Sequence, residues 1–294
     1  MAEKDAAEKT LESYNDVFAD IVNVLLFKGK KVVFEDDLED AQTFSMYKDN
    51  DDFKSQERDV SKYWKRGKIR IALYGFENQT KVEEFMPLRI IGYDGEAYRS
   101  ELNQKKLDEN GKKRKLTKSD LYPVVTLVLY FGSSQWNKAK SIHGCIDVPD
   151  ELKEFVSDYK INVFEIAHLE DDVVAKFKSD FRDVAEFFVA QRKGEEWKGS
   201  SKKMSHIYET LALLSAITRD SAFIDLCRTK AIPDGKEVSM CDVIEKLDKK
   251  SREAERKDLA KKILRRGKYT VEEIAEDTGL SVAEVESLRK EITK

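Results

Sequence analysis

Three cysteines and three histidines in 294 residues leave little material for a disulfide framework or a metal-thiolate site. Cys145, Cys227 and Cys241 are odd in number and widely spaced, and none forms a Cys-x-x-Cys pair with a nearby histidine. They read as reduced thiols, with no zinc site. His143, His168 and His206 are isolated and show no ligand spacing, so structural roles are expected for them. Long apolar runs are also missing. The longest, Val124 to Phe131, falls far short of the roughly 20 residues of a membrane-spanning helix, so no membrane association is expected. The opening Met1-Ala-Glu-Lys-Asp-Ala-Ala-Glu-Lys lacks the basic stretch and apolar run of a secretory signal, and the expected location is the cytoplasm.

A strong charge of one sign is absent as well, since 53 Lys and Arg stand against 57 Asp and Glu for a net −4. The small net value hides asymmetry: Lys249 to Lys268 carries ten basic residues against three acidic ones, a local balance of +7. Overall charge therefore does not argue against a nucleic-acid partner. With 40% hydrophobic and 37% charged residues, the chain reads as globular and soluble, long enough for one large or two modest domains.

Along the chain the pattern runs α, then mixed β/α, then all α, with no internal repeat. Leu11, Tyr14, Phe18, Ile21, Val22 and Leu25 recur at helical spacing over residues 6–27, and Gly29 stops them. Residues 30–50 are expected to form a surface excursion. Arg58 to Trp64 and Lys68 to Phe76 flank Arg66-Gly67 and predict a hairpin, glycine tolerating the positive φ of such turns. After Pro87, residues 88–107 read as a long helix with Ile91, Tyr98 and Leu102 on its buried stripe. Tyr122 to Phe131 is a buried strand and Lys160 to His168 a third. From Asp171 onward the pattern is helical, broken near residues 198–203 and 231–236, with a domain boundary near Lys198: residues 1–198 form one domain and 199–294 a helical C-terminal region.

The chemistry concentrates at the end of the hairpin. Side chains alternate along a strand, so Glu77 and Gln79 share a face while Asn78 takes the other. If Asp59 joins that face from the neighbouring strand, two carboxylates converge with enough oxygen ligands for Mg²⁺ beside a phosphate. Directly opposed residues of an antiparallel pair share a face, so this needs an even sum of paired residue numbers. A three-residue loop or a bulge would give it, with Asp59 opposite Gly75. The alternative is an ordinary strand end and a charged hairpin edge.

Several segments resemble the Rpn family of recombination-promoting nucleases and putative transposases, a bacterial branch of the PD-(D/E)xK nuclease superfamily. They are Val17-Phe-Ala-Asp-Ile-Val-Asn-Val-Leu-Leu26, Arg58-Asp59-Val60, Gly75-Phe-Glu-Asn-Gln-Thr80, Met86-Pro-Leu-Arg-Ile-Ile-Gly-Tyr-Asp94, and Tyr122-Pro-Val-Val-Thr-Leu-Val-Leu-Tyr-Phe-Gly132 followed by Trp136-Asn137. They recur in order over about residues 10 to 190. The resemblance implies an α/β restriction-endonuclease-like core, a mixed sheet flanked by helices, that hydrolyses DNA phosphodiesters with Mg²⁺, for which Mn²⁺ can substitute. Asp59 and Glu77 would be the metal-binding acids, and Gln79 would stand where many superfamily members carry a catalytic lysine.

Other candidates surround this pair. Asp16 and Asp20 lie one helical turn apart, and either is an additional metal-binding acid or part of a solvated face; Asp20, nearer the apolar stripe, is preferred. Arg89 and Tyr93 either contact a phosphate or serve as an arginine paired with a core carboxylate and a tyrosine at its rim. Lys112, Lys113, Arg114 and Lys115 either track a DNA backbone or are simply solvated. The tail from Thr270 to Leu288 follows a helix-turn-helix pattern, with Ile274 and Ala275 inward, Gly279 at the turn, and Val285 and Leu288 facing the first helix. Its second helix offers Glu284 and Glu286, which phosphates repel, so a packing or protein-interaction role is favoured. The expected function is a Mg²⁺-dependent endonuclease acting on double-stranded DNA in a bacterial cytoplasm. Two-strand cleavage suggests a homodimer. The alternatives are a catalytically weak DNA-binding or regulatory protein on the same fold, and a helical interaction module.

Overall fold

A computed structural model describes residues 11–41, 60–76, 84–104, 106–218, 220–229 and 237–292, together with the backbone of 44–49 and 52–57; the side chains of 72–76 and 217 are not described. The chain divides into two compact units, one of residues 1–197 and 204–224, the other of residues 198–203 and 225–294.

The first unit opens with α1 (Asn15–Leu25). Val17, Phe18, Ile21 and Val22 form its buried stripe, and the chain turns out of it through Lys28 and Gly29, both at positive φ. Asn23 fixes the return: its side chain donates to the Val33 carbonyl at 2.8 Å and accepts from the Val32 and Val33 N–H groups. Residues 30–50 are more than a surface excursion. Val33 is fully buried, β1 (Leu38–Asp40) is an edge strand of the main sheet, and β2 (Phe44–Asp49) pairs with β3 (Asp52–Glu57) as a separate two-stranded ribbon.

The main sheet has the order β1, β4 (Val60–Trp64), β5 (Ile69–Phe76), β8 (Val124–Tyr130), β9 (Asn162–Glu165). Its first three strands are antiparallel and its last three parallel, the switch falling at β5. The crossover from β5 to β8 contains α2 (Met86–Leu102) and the small hairpin of β6 (Lys106–Leu107) and β7 (Lys113–Arg114). One sheet face, bearing Val60, Trp64, Ile71, Leu127 and Leu129, packs on α1 and on α5 (Phe181–Lys193). The other, bearing Val128 and Tyr130, packs on Met86, Ile90 and Tyr93 of α2. Strand alternation thus builds two layers of helix around one sheet. Short helices α3 (Ile142–Cys145) and α4 (Asp171–Val174) punctuate the approach to α5, which stops at Gly194 with φ +69°.

The expected stripe of α2 is corrected. Ile91, Tyr98 and Leu102 are exposed, and the buried positions are Ile90, Tyr93, Asp94, Ala97 and Glu101. The buried face carries two carboxylates: Asp94 is bonded through both oxygens, whereas Glu101 is bonded through Oε2 and its buried Oε1 has no partner among the described residues. Asp94 accepts from Thr126 Oγ1 at 2.6 Å and from the Tyr159 hydroxyl, and Glu101 accepts from the Tyr122 N–H at 2.7 Å. Burial raises the Glu101 carboxyl above the ordinary range.

Helix α6 (Ile207–Thr218) completes the first unit and α7 (Ala222–Arg228) spans the boundary. The second unit holds α8 (Met240–Arg266), α9 (Val271–Thr278) and α10 (Val282–Ile292). Ile274, Ala275, Leu280, Val285 and Leu288 bury themselves against Ala260 of α8, around a turn at Gly279 with φ +67°. Thr270 and Ser281 start the last two helices, each through reciprocal bonds with a glutamate three residues on. Among the described residues no helix is long and apolar enough to cross a membrane.

Candidate functional site

Four strands define one end of the main sheet. Val60 begins β4 and Phe76 ends the antiparallel β5; Tyr130 ends β8 beside Phe76, and Glu165 ends β9 beside Tyr130. Asp59 is bonded to Val60 and Glu77 to Phe76. The two chain positions therefore adjoin the same end, the C-terminal end of the parallel strands, where open α/β sheets commonly bind ligands. Asp59, Glu77 and Gln79 themselves lie outside the described residues.

The register of the hairpin differs from the expected one. Val60 pairs with Leu73 and Trp64 with Ile69, an odd sum, with Lys65 to Lys68 forming a four-residue turn. The even register with Asp59 opposite Gly75 is thus not the one β4 and β5 form. The turn chemistry explains the difference. The positive φ falls on Lys68 (+49°), whereas Gly67 is required for space: a Cβ there would lie 2.1 Å from the Trp64 ring.

The first turn of α2 reaches the same end of the sheet. Met86, Ile90 and Tyr93 pack with Tyr130 and Trp136 beyond the end of β8, while Glu101 and Tyr98 bond the backbone of Tyr122 and Val124 at its start. Arg89 and Tyr93 face one another: Arg89 Nε donates to the Tyr93 hydroxyl at 2.7 Å. Tyr93 is buried and Arg89 half-buried. The loop after β8 is tied to this end, with the Trp136 N–H donating to Glu165 Oε2 at 2.8 Å and Tyr130 packed against Gly132.

Lys112, Lys113, Arg114 and Lys115 are at the other end. Their hairpin leaves the C-terminus of α2 and returns to the start of β8. All four are exposed, and Arg114 forms a two-pronged contact with Asp120 at 2.7 and 2.5 Å, holding that carboxyl well below the usual range. The fold does not bring this basic run together with Arg89.

Asp16 and Asp20 both face the segment that follows β9. Asp20 Oδ2 accepts from the N–H groups of Lys178 (2.6 Å) and Ser179 (2.7 Å) and from the Ser179 hydroxyl (2.8 Å). Asp16 holds His206 Nε2 at 2.9 and 3.0 Å, and the His206 ring stacks on Tyr14 at 3.8 Å. The Tyr14 hydroxyl donates to Glu209 at 2.9 Å, and that bond raises its pKa. His143 and His168 each contact a backbone carbonyl, of Val156 and Ser133.

Sequence reasoning missed two buried cations. Lys62 is 1% exposed, with its ammonium paired to Asp40 and 5.8 Å from the centre of the Phe18 ring. Arg70, 3% exposed, donates to Ser61 Oγ at 3.1 Å and lies over Tyr63. Strand alternation between apolar neighbours was their only signal. Among the described residues no group of three or more His, Cys, Asp or Glu side chains is placed to hold a metal.

The family described as "Putative transposase, YhgA-like" matches residues 67–221, just over half of the chain, from the β4–β5 turn to the start of α7. No curated protein and no solved structure matches it.

Proposed function

Because the chain belongs to the YhgA-like transposase family, we propose that it is a Mg²⁺-dependent endonuclease acting on double-stranded DNA, with Asp59 and Glu77 as its metal-binding carboxylates. The observation that carries this reading is the position of Val60 and Phe76 at one end of the sheet, each one bond from a proposed acid. The donor set fits the ion: magnesium takes oxygen ligands, and one or two carboxylates suffice beside a substrate phosphate. When bound, it polarises the phosphate and lowers the pKa of a coordinated water.

The chain's own residues have separable tasks. Asp59 and Glu77 bring negative charge to the sheet end and fix the ion. Gln79 offers a neutral amide that orients water or a phosphate oxygen but, unlike a lysine, cannot neutralise charge. Arg89, in the first turn of α2, supplies a guanidinium to a phosphate approaching that end. Regular alternation beyond Val60 would send the next side chain to the face opposite that of Val60 and Ile71. Convergence of Asp59 with Glu77 would therefore need a one-residue irregularity beyond Val60 or beyond Phe76, of the kind a β-bulge supplies.

A second reading, a nuclease fold serving DNA binding or regulation with weak chemistry, is favoured by Asp20. Its Oδ2 is taken by three donors of residues 178 and 179 and is not left for an ion. Nicking of supercoiled plasmid by the purified protein in Mg²⁺, beside binding of the same DNA in EDTA, separates the two. The nuclease reading predicts nicking in Mg²⁺, lost in EDTA and in Asp59→Ala. Binding without nicking in Mg²⁺ would replace it with the second.

A further inference from the structure

Helix α8 has no core to fill along its middle: every residue from Asp248 to Leu259 is exposed, although Met240 and Val243 at one end and Ala260 near the other are buried. A charged helix exposed on all sides is held by its ends and presents its side chains to solvent. Lys250, Lys257, Lys261 and Arg265 follow one another at intervals of seven, four and four residues. At about 100° per residue these intervals keep all four on one face, along roughly 22 Å of helix. The residues interleaved on that face are Ala254 and Leu264; Asp258 borders it, paired with Lys262 at 2.8 Å and within the field of Arg265 and Lys261.

The hairpin of α9 and α10 has the opposite charge, with seven acidic and two basic residues over 271–292. It packs on the end of α8 through Ile274, Val285 and Leu288 around Ala260. Its acids meet the basic face at two points seven residues apart on α10. Glu291 Oε2 lies 3.1 Å from Lys261 Nζ. Glu284, whose carboxyl is lowered first by the Ser281 N–H and hydroxyl, also lies within the field of Lys257.

We propose that this face of α8 is a contact surface for the phosphate backbone of nucleic acid, and that Glu291 of α10 is its built-in competitor, holding Lys261 until a phosphate displaces it. The proposal rests on nucleic acid being the substrate, and it gives the acidic helix-turn-helix hairpin a task that base reading cannot: tuning affinity. Phosphates and carboxylates compete for the same ammonium groups, so each carboxylate removed strengthens binding and each cation removed weakens it.

The test is binding of a labelled short DNA duplex to the full chain in EDTA, followed by fluorescence anisotropy over a range of salt. Because no metal is present, the result does not depend on cleavage. The variant Lys250→Gln/Lys257→Gln/Arg265→Gln is expected to bind at least tenfold more weakly, with the slope of log Kd against log salt reduced by about 3. Removing the same charge elsewhere, in Lys249→Gln/Arg252→Gln/Arg256→Gln, is expected to have a clearly smaller effect. Glu291→Gln is expected to bind severalfold more tightly. Equal effects of the two triple variants, or unchanged affinity in Glu291→Gln, would overturn the proposal. Retained salt-dependent binding without nicking in Mg²⁺ would count against the nuclease reading alone.

Discussion

Asp20 Oδ2 accepts hydrogen bonds from both the backbone N–H and the hydroxyl of Ser179, at 2.7 and 2.8 Å, tying α1 to the corner from which α5 starts. The carboxylate is 9% exposed, and a third donor, the Lys178 N–H, shares the same oxygen. Replacement by alanine leaves these donors without an acceptor in a site water barely reaches. Asp20→Ala is expected to cost about 3 kcal/mol in urea denaturation, and Asp20→Asn, which keeps one acceptor oxygen, about 1 kcal/mol. Stability equal to that of the parent in Asp20→Ala would show that the corner is held by other contacts.

Gly67 is needed for space, whereas Lys68 carries the positive φ of the turn. A Cβ at Gly67 would meet the Trp64 ring at 2.1 Å, inside the β4–β5 hairpin, so Gly67→Ala is expected to lower stability by about 1–3 kcal/mol. Lys68→Gly places the permissive residue at the positive φ of +49° and is expected to be neutral or stabilising by up to about 1 kcal/mol. Thermal denaturation should show a lowered midpoint for Gly67→Ala and no lowering for Lys68→Gly if the turn is as described.

Asp242 makes the start of α8 sensitive to acid. The Ser239 backbone N–H and hydroxyl, and then Lys203 at 3.2 Å, lower its carboxyl from 3.8 to about 2. The folded form thus holds the charged carboxylate more strongly than the unfolded chain does. Its contribution is complete above the unfolded value and is lost as pH falls from 3.8 through about 2. An NMR titration of the Asp242 carboxyl carbon should give a midpoint near 2, and Asp242→Asn should remove the acid dependence of helix fraying at Met240. A midpoint at the ordinary aspartate value would mean that the Ser239 cap is open in solution.

Much of this fold is written in strong local patterns. The α1 stripe and the inward residues Ile274, Val285 and Leu288 each have one face to bury, and the run Val124 to Tyr130 buries both, so local pattern alone identifies them. Helix α2 misleads because apolar residues recur on two faces. Ile91, Tyr98 and Leu102 look like a core stripe, but the face with Asp94 and Glu101 is the buried one, where Thr126 and Tyr159 bond Asp94 and the Tyr122 N–H bonds one oxygen of Glu101. No local signal shows partners so distant in sequence. The hairpin register turned on a lysine adopting positive φ, which residue preference argues against, and β1 is three residues long, too short to show alternation. At the candidate site the neighbouring strands were legible, whereas the Arg89–Tyr93 hydrogen bond could be offered only as one of two roles. The burial that singled out Asp20 has its cause in Ser179, a hydrogen-bond partner 159 residues away.

The central claim is that Glu77, one bond beyond Phe76 at the end of β5, holds the metal while Gln79 orients the reacting groups. Single-turnover cleavage of a short duplex at saturating Mg²⁺, with metal binding followed in parallel, tests it most directly. The account predicts that Glu77→Ala, folded as judged by circular dichroism, loses both metal binding and cleavage. Gln79→Ala should keep its metal affinity and cleave roughly ten- to a thousandfold more slowly, the loss expected for one oriented polar donor. Full cleavage by folded Glu77→Ala would contradict the site.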